Sequence, residues 1–329
     1  MRRIRTKNSA VIIALIWISA ILLASCAAAT PQAVVVPPEQ PSLPPVVLQT
    51  IAPTSPPVDS PVRTTSPDAG EAAQTAEPDV ISGTIVVRDG DTLERDIIPQ
   101  LCRVFGLETD AVKAALADAN SDLIDDDLKG FCRMEGIIVP GEYKVAGETL
   151  AAYVGIWTLQ AKQRFDSVAA ACERNGLKPY EQLTLASIVE WECIGDEFQR
   201  EAAAAFLNRL DNGEKLRSCV TTEYALGYQR PYLTSEDIKI DSDYNTYQVK
   251  GLPPGPIGSV DDASLAAGIS PAVDPDIYYF FYDYALDTMQ FFADYDAFKA
   301  AAKESAALFE QTFDFGKYDK VDKRAVFGS

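Results

Sequence analysis

The chain has 329 residues, of which 29 are basic and 48 acidic, so its net charge is -19. That charge argues against nucleic acid or an anionic membrane surface as the main partner. The sequence contains no histidine, which excludes Ser/His/Asp triads, Cys/His pairs and histidine-ligated zinc. Carboxylates, tyrosine, lysine and cysteine remain for chemistry, and we expect no metal and no cofactor.

The N-terminus is typical of a secretory signal peptide. Four basic residues in the first seven positions precede the uncharged run Val11–Ser25. This run ends in small residues, as the segment before a signal-peptidase cleavage point does. The end of this run, Leu23-Ala-Ser-Cys26, resembles a bacterial lipobox, which implies that Cys26 is lipidated. The alternative is an uncleaved transmembrane anchor over Val11–Ala29. Both interpretations, the lipid anchor and the transmembrane anchor, predict a protein tethered to the membrane on its extracytoplasmic face.

Residues 27–80 predict a disordered spacer. The segment holds more than half of the 21 prolines and few charges, and no aromatic residue lies between Trp17 and Phe105. Such a composition favours polyproline II or coil and cannot build a core. The folded part therefore begins near Ile81.

From Ile81 the pattern alternates between strands and helices, which predicts an α+β fold. Thr92 is placed to cap the first helix, and Asp89-Gly90-Asp91 predicts a turn before it. The segment between Asn212-Gly213 and Tyr278 predicts loops. The expected elements are a strand at 81–87, helices at 93–105 and 109–119, a strand interrupted by a turn at 134–143, helices at 150–176, 179–193 and 198–210, a buried strand at 278–282 and a helix at 295–309.

The helix ending Leu185-Ala-Ser-Ile-Val-Glu-Trp-Glu192 carries two acids. Glu192 follows Ile188 and Val189 by one turn, so it lies on an apolar stripe. The two glutamates lie about 200° apart around the helix and cannot face one site. A carboxyl on an oily face has a raised pKa, as a general acid requires. The alternative is a helix-edge glutamate whose head reaches solvent.

The helix and four later motifs, in this order and spacing, resemble the YceG-like endolytic murein transglycosylases. The degenerate segment Met134–Tyr143 and the region Gly83–Ala119 also resemble parts of that family. The later motifs are Phe206-Leu-Asn-Arg-Leu210, Tyr244-Asn-Thr-Tyr247, Gly251-Leu-Pro-Pro-Gly-Pro-Ile257 and Ser270-Pro-Ala272. The resemblance implies a small LysM-like α/β module followed by a mixed α+β catalytic domain, and it implies that Glu192 is the catalytic acid.

The implied activity is endolytic cleavage of the MurNAc–GlcNAc bond in nascent peptidoglycan, leaving 1,6-anhydroMurNAc ends and terminating strand elongation. One carboxyl suffices, because the sugar's own 6-hydroxyl replaces water as the nucleophile. The expected partners are glycan strands and the membrane through the lipid anchor, with peptidoglycan synthases as candidates and no nucleic acid. The alternatives are a non-catalytic wall-binding lipoprotein of the same fold and a hydrolase using the same acid.

Neighbouring motifs supply candidate binding residues. Asn245 either holds a sugar amide or hydroxyl, with Tyr244 and Tyr247 stacking on sugar faces, or caps a turn between core tyrosines. Asn208, with Arg209, is expected to orient backbone or carboxylates. We expect Glu190 to be a solvated or supporting acid. The proline-rich segment 251–257 is expected to form a rigid cleft wall.

Two departures from the family pattern stand out. Cys219 occupies the place of an expected aspartate, and Gln290 the place of a histidine. Because Cys193 follows the catalytic candidate, we expect a Cys193–Cys219 disulfide. Cys102 would pair with Cys132, and the alternative is that all these cysteines stay reduced.

These observations divide the chain into five expected segments: a signal peptide at 1–26, a linker at 27–80, the small module at 81–133, the YceG-like domain at 134–315 and a charged tail at 316–329.

Overall fold

A computed structural model describes residues 81–119, 123–124, 130–193, 196–230, 233–283, 286, 288–309 and 311. The expected signal peptide, Cys26, the spacer and the charged tail lie outside these residues. Among those described, no helix combines the length and the hydrophobicity that crossing a bilayer requires.

The described chain opens with a strand and a capped helix, as expected. Strand β1 (Ser82–Val87) ends at a turn, and a π-helical turn over Leu93–Ile97 continues into helix α1 (Ile98–Phe105). The Thr92 hydroxyl accepts a hydrogen bond from the Arg95 N–H at 3.4 Å, which satisfies a donor at the helix start. Helix α2 (Thr109–Ala117) follows.

The partner of β1 comes from further along the chain. After a 3₁₀ turn at Phe131–Met134, strand β2 (Gly141–Ala146) pairs antiparallel with β1, with Ile85 opposite Tyr143. The expected strand at 134–143 is therefore a helical turn followed by a strand that starts seven residues later. The two strands lie on opposite sides of the module boundary expected at 133–134.

The long helix expected at 150–176 is divided into two. Helix α3 (Leu150–Asp166) and helix α4 (Ala169–Arg174) are separated by a short turn. At the break, the Ser167 hydroxyl donates to the Arg164 carbonyl at 2.6 Å, a local side-chain bond that competes with helix continuation.

Helix α5 (Pro179–Glu192) is the centre of the fold, and the prediction of an amphipathic helix was wrong for most of its length. Every position from Gln182 to Val189 is buried. Leu183 and Ala186 belong to one hydrophobic cluster, while the other face belongs to a second. The last three residues, and Pro179 and Glu181 near the start, are partly exposed.

The remaining helices pack around α5. Helix α6 (Gln199–Asp211) was predicted, but α7 (Cys219–Leu226) and α8 (Asp262–Ile269) lie where loops were expected. Both are only eight residues long, too short for a clear apolar periodicity. The start of α8 nevertheless has a sequence signal, since Asp261 accepts from the Ser264 N–H at 2.7 Å.

The chain ends in a hairpin and a helix. Strands β3 (Tyr279–Asp283) and β4 (Thr288–Phe292) pair antiparallel, and helix α9 (Tyr295–Phe309) follows with the predicted bounds. Strand β3 is only half-buried except at Asp283, so the prediction of a buried strand was wrong. The described elements thus form an α+β fold dominated by helices.

Candidate active site

Glu192 is the last residue of α5, where the buried helix reaches the surface. The helix stops there because Cys193 adopts an extended conformation (φ -102°, ψ 137°) while its N–H still bonds to Val189. The hydroxyl of buried Ser218, the residue before α7, donates to Glu192 Oε1 at 2.6 Å. A partly exposed carboxyl is thereby fixed in orientation by a neighbouring element.

Glu190 faces a different partner. Its Oε2 accepts a short hydrogen bond of 2.5 Å from the Ser264 hydroxyl on α8. Burial raises the pKa of Glu190 to about 7, and the negative charges of Asp261 and Asp89 act in the same direction. The two acids therefore diverge, as the helix geometry predicted. Glu190 is partly buried and is hydrogen-bonded to a helix on the other side of α5 from Ser218.

Asn245 does not have an amide available for a sugar. The residue is fully buried, and its Nδ2 donates to the carbonyls of Ile238 and Ile240 at 3.1 and 2.8 Å. Its Oδ1 accepts from the Tyr247 N–H at 3.1 Å and from the Thr222 hydroxyl at 3.2 Å. Of the two roles considered, the structure gives Asn245 the turn-capping one, since all its hydrogen-bonding capacity is used inside the protein.

The two tyrosines of this motif differ. The hydroxyl of Tyr247 lies 3.1 Å from Cys219 Sγ, and burial raises its pKa well above the ordinary range. The Tyr247 hydroxyl therefore contacts the first residue of α7. Tyr244 instead stacks at an angle on Tyr224, with ring centroids 4.8 Å apart, and it lines a cavity.

The expected disulfides are not formed. The described cysteines are thiols in the structure, namely Cys102, Cys132, Cys172, Cys193 and Cys219. Cys193 is buried at the end of α5, and burial is the main cause that raises the pKa of its thiol above the ordinary range. Cys219, which begins α7, instead has its sulfur against Tyr247. The reduced alternative therefore describes the structure.

The other sequence candidates are structural. Asn208 donates to the carbonyls of Asp274 and Ile277 at 2.9 and 2.8 Å. Arg209 likewise binds backbone carbonyls, one of them that of Tyr278. Gln290 donates to Asp283 at 2.5 Å within the β3–β4 hairpin.

The segment 251–257 packs tightly, as a rigid wall would. The Ile257 N–H donates to the Ser187 hydroxyl at 3.0 Å. A Cβ on Gly255 would lie 2.8 Å from the Tyr180 hydroxyl, so glycine permits this approach. Gly136, with φ +72°, allows an equally close approach of Pro256.

Sequence reasoning missed Glu135, a buried carboxyl beside Gly136. Glu135 accepts hydrogen bonds from the Leu93 N–H at 3.1 Å and from the Tyr224 hydroxyl at 2.9 Å. These bonds connect the π-helical turn that precedes α1 to helix α7. Burial, as the largest cause, raises its pKa to about 8, although both hydrogen bonds oppose the shift. The sequence contains a signal for this site, because an acid followed by a glycine interrupts the apolar run of residues 134–139.

Glu135 lines a cavity of about 440 Å³, together with Arg95, Trp191, Tyr224, Tyr244 and Ile257. Trp191 directly precedes Glu192, and Val220, also in the wall, follows Ser218 by two residues. The cavity therefore lies between the last turn of α5 and α7, and its wall includes neither Glu192 nor Ser218. Among the described residues, no group of three potential ligands is arranged to hold a metal ion.

Similar proteins share this architecture. The crystal structure of a yceG-like protein from Listeria monocytogenes matches with a TM-score of 0.59 at 23% identity, covering 66% of this chain and 75% of that one. This similarity shows the fold.

Two curated relatives are named endolytic murein transglycosylase. The Bacillus subtilis (strain 168) protein is 29% identical over 140 residues, 42% of this chain and 39% of its own length. The Streptococcus pneumoniae (strain D39) protein is 30% identical over 164 residues, 45% of this chain and 28% of its own. The matches thus span well under half of either relative.

The described elements place this chain among α+β proteins in which a buried helix ends at a carboxyl, here that of Glu192. The YceG-like family model matches residues 71–304, and the chain belongs to that family.

Proposed function

We propose that this chain is a lytic transglycosylase that cleaves within peptidoglycan glycan strands, with Glu192 as its catalytic residue. The observation that carries the proposal is the Glu192 carboxyl, which ends a buried helix and is oriented by the Ser218 hydroxyl at 2.6 Å. The name shared by the two curated relatives supports the substrate class.

The proposed mechanism uses one carboxyl twice. Protonated Glu192 donates its proton to the glycosidic oxygen that leaves N-acetylmuramic acid. The resulting carboxylate then takes the proton of that sugar's 6-hydroxyl, whose oxygen bonds to C1 and closes the 1,6-anhydro ring. Ser218 is a positioning residue, since its donated hydrogen bond holds Oε1 and stabilises the ionised form between the two steps.

The test is a digestion of uncrosslinked glycan with the full-length protein and with Glu192→Gln. We expect wild-type protein to produce strands with anhydro ends, and Glu192→Gln to lose at least about 10²-fold in rate, the lower range for general acid–base catalysis. Glu190→Gln is the matched control because it removes an acid two positions away that faces Ser264. Reducing ends instead of anhydro ends would assign the protein as a hydrolase.

The second candidate function is a non-catalytic wall-binding lipoprotein. Two observations favour it, since Cys219 and Gln290 replace the aspartate and histidine of the family pattern. Cys219 contacts Tyr247 at 3.1 Å and Gln290 binds Asp283, so both positions serve the protein's own packing. Absence of cleavage by wild-type protein, combined with binding to glycan, would favour this alternative.

We further propose the five-segment organisation described above, with a LysM-like module at 81–133. A lipid attached to Cys26 would hold the enzyme on the extracytoplasmic face of the membrane. There it would lie near peptidoglycan synthases and terminate the strands that they elongate. The proline-rich spacer at 27–80 would let the enzyme work at a distance from the membrane. Intact-mass analysis of membrane-extracted protein tests the anchor, because a diacylated chain beginning at Cys26 and an unprocessed chain differ in mass.

A further inference from the structure

Three basic side chains lie at the loop between α6 and α7. Arg209 of α6 is buried, and its guanidinium donates to the carbonyl of Leu216. Lys215 and Arg217 are the neighbours of Leu216 in the chain, and the Lys215 ammonium donates to a backbone carbonyl at 3.0 Å. We refer to Arg209, Lys215 and Arg217 as the basic cluster.

The basic cluster has no acidic partner. Within the described ranges, no carboxylate forms an ion pair with its three charged groups, and the Arg217 guanidinium also forms no hydrogen bond. Burial is the main cause that lowers the pKa of Arg209, and the positive charge of Arg217 acts in the same direction, whereas Glu214 and Glu192 oppose the shift. Like charges in a partly buried position are unfavourable without a counter-ion. A bound anion would relieve this repulsion.

The backbone at Arg217 is strained. Its φ of +50° lies in the left-handed region, which no other non-glycine residue of the described ranges adopts. Two bonds to Thr246 hold this conformation, because the Arg217 N–H donates to its carbonyl at 3.1 Å and the Ser218 N–H to its hydroxyl at 2.9 Å. Strained residues of this kind cluster at ligand-binding sites. Since Ser218 also donates to Glu192, one turn fixes both the Glu192 carboxyl and the Arg217 backbone.

The basic cluster borders aromatic rings of β3 and α9. The Arg209 guanidinium lies 5.4 Å from the centroid of the Tyr279 ring, and the ring centroids of Tyr279 and Tyr295 are 5.2 Å apart. Burial raises the pKa of both tyrosines, and the positive charge of Arg217 opposes this rise, which places its guanidinium near them. None of the three basic residues lines the cavity that contains Glu135. The basic cluster is therefore a separate feature of the molecule.

The anion that fits this position is a carboxylate. A guanidinium presents parallel N–H donors that match the two oxygens of a carboxylate. In the proposed reaction Glu192 acts on N-acetylmuramic acid, whose lactyl group either ends in a carboxylate or bears a stem peptide with carboxylates of its own. These groups belong to the same sugar as the bond that Glu192 protonates, and Arg217 directly precedes the serine that orients Glu192.

We propose that the basic cluster binds a carboxylate of the substrate, with Arg217 as a specificity-determining residue. The carboxylate belongs either to the lactyl group or to the stem peptide attached to it, and the probes below separate these two sources. The assignment to a substrate rests on the proposed function. Anion binding itself is measurable without cleavage.

The experiment is isothermal titration of the full-length protein with the muropeptide N-acetylglucosaminyl-N-acetylmuramyl tetrapeptide and with its carboxyl methyl ester. This muropeptide lacks a MurNAc–GlcNAc bond, so the protein can bind it without cleaving it. The peptide-free disaccharide, whose lactyl carboxylate is free, is the third probe. Arg217→Gln removes the guanidinium charge. Arg103→Gln, which changes an exposed arginine of α1, is the matched control with the same change in net charge.

A second variant separates binding from folding. Arg217→Gly removes the guanidinium and the backbone strain together, because glycine adopts positive φ without a steric cost. If Arg217 serves binding, Arg217→Gly should bind the muropeptide more weakly while its melting temperature stays equal or rises. A lower melting temperature with unchanged muropeptide binding would assign Arg217 a structural role and overturn the proposal.

We expect wild-type protein to bind the muropeptide at least about tenfold more tightly than its methyl ester, as the loss of a charge-assisted hydrogen bond predicts. Arg217→Gln should abolish this preference, and Arg103→Gln should keep it. Tighter binding of the muropeptide than of the peptide-free disaccharide would assign the carboxylate to the stem peptide, and the reverse order would assign it to the lactyl group.

Three results would overturn the proposal: no measurable binding of the muropeptide, equal binding of the acid and its ester by wild-type protein, or a preference that Arg217→Gln leaves unchanged. Charge-dependent binding that requires Arg217, without any glycan cleavage, would reject the proposed function alone. Cleavage with anhydro ends but without charge-dependent binding would reject only the carboxylate site.

Discussion

Glu135 should make the protein less stable as the pH rises, and Glu135→Gln should remove the part of that dependence that Glu135 contributes. The carboxyl is buried with a pKa of about 8, against an ordinary value of 4.5. The folded state therefore keeps a proton that the unfolded state releases above pH 4.5. Since the unfolded state binds fewer protons across this window, the free energy of unfolding falls as pH rises from about 4.5 to 8.

The magnitude follows from the two pKa values. At about 1.4 kcal/mol for each pH unit, the interval between 4.5 and about 8 corresponds to on the order of 5 kcal/mol. Glu190, with a pKa of about 7, adds a contribution of the same sign over the shorter interval from 4.5 to about 7. Glutamine is neutral at every pH and keeps an oxygen that accepts from Tyr224.

The assay is urea unfolding at pH 5, 6, 7 and 8 at constant ionic strength, followed by circular dichroism. Glu135→Gln should equal wild-type stability near pH 5 and exceed it near pH 8. Glu142→Gln, an exposed acid on β2, is the control and should keep the wild-type slope. A Glu135→Gln protein with an unchanged slope would refute the assignment of a protonated, buried Glu135.

Three further predictions concern the packing around Glu192. Ser218→Ala should lower kcat by about tenfold with little change in KM, because it removes the hydrogen bond that orients Glu192; an unchanged kcat would exclude a positioning role. Asn245→Ala should lower the free energy of unfolding by about 3 kcal/mol, since it removes all four hydrogen bonds of a fully buried amide, and denaturant unfolding would show this. Dithiothreitol should leave the melting temperature unchanged, because the described cysteines are thiols; a large decrease would restore the disulfide hypothesis.

The elements with strong local signals were predictable from sequence. Helix α9 has a clear apolar repeat and its bounds, Tyr295–Phe309, were correct. Thr92 identified the start of the first helix, and a proline and the following apolar run identified α5. These signals act within a few residues and do not depend on the rest of the fold.

What remained unpredictable depends on contacts between distant segments. The burial of residues 182–189 of α5 follows from two clusters that pack on its opposite faces. The partners of Asn245 and the contact between Cys219 and Tyr247 depend on where loops return to the core. Helices α7 and α8 were missed because eight residues give too little periodicity.

The separation of the two acids was predictable, because it follows from helix geometry alone. The identity of their partners was not, since Ser218 and Ser264 lie 26 and 74 residues away from them. Glu135 illustrates the same limit, because the hydroxyl that holds it belongs to Tyr224, 89 residues further on.

The most direct test of the central claim is to identify the ends that the full-length protein forms on uncrosslinked glycan in water enriched in ¹⁸O. If Glu192 directs the sugar's own 6-hydroxyl to C1, mass spectrometry will detect anhydro ends one water lighter than reducing ends and free of ¹⁸O. These products will be missing with Glu192→Gln and present with Glu190→Gln. Reducing ends that carry ¹⁸O, or anhydro ends formed equally well by Glu192→Gln, would contradict the account.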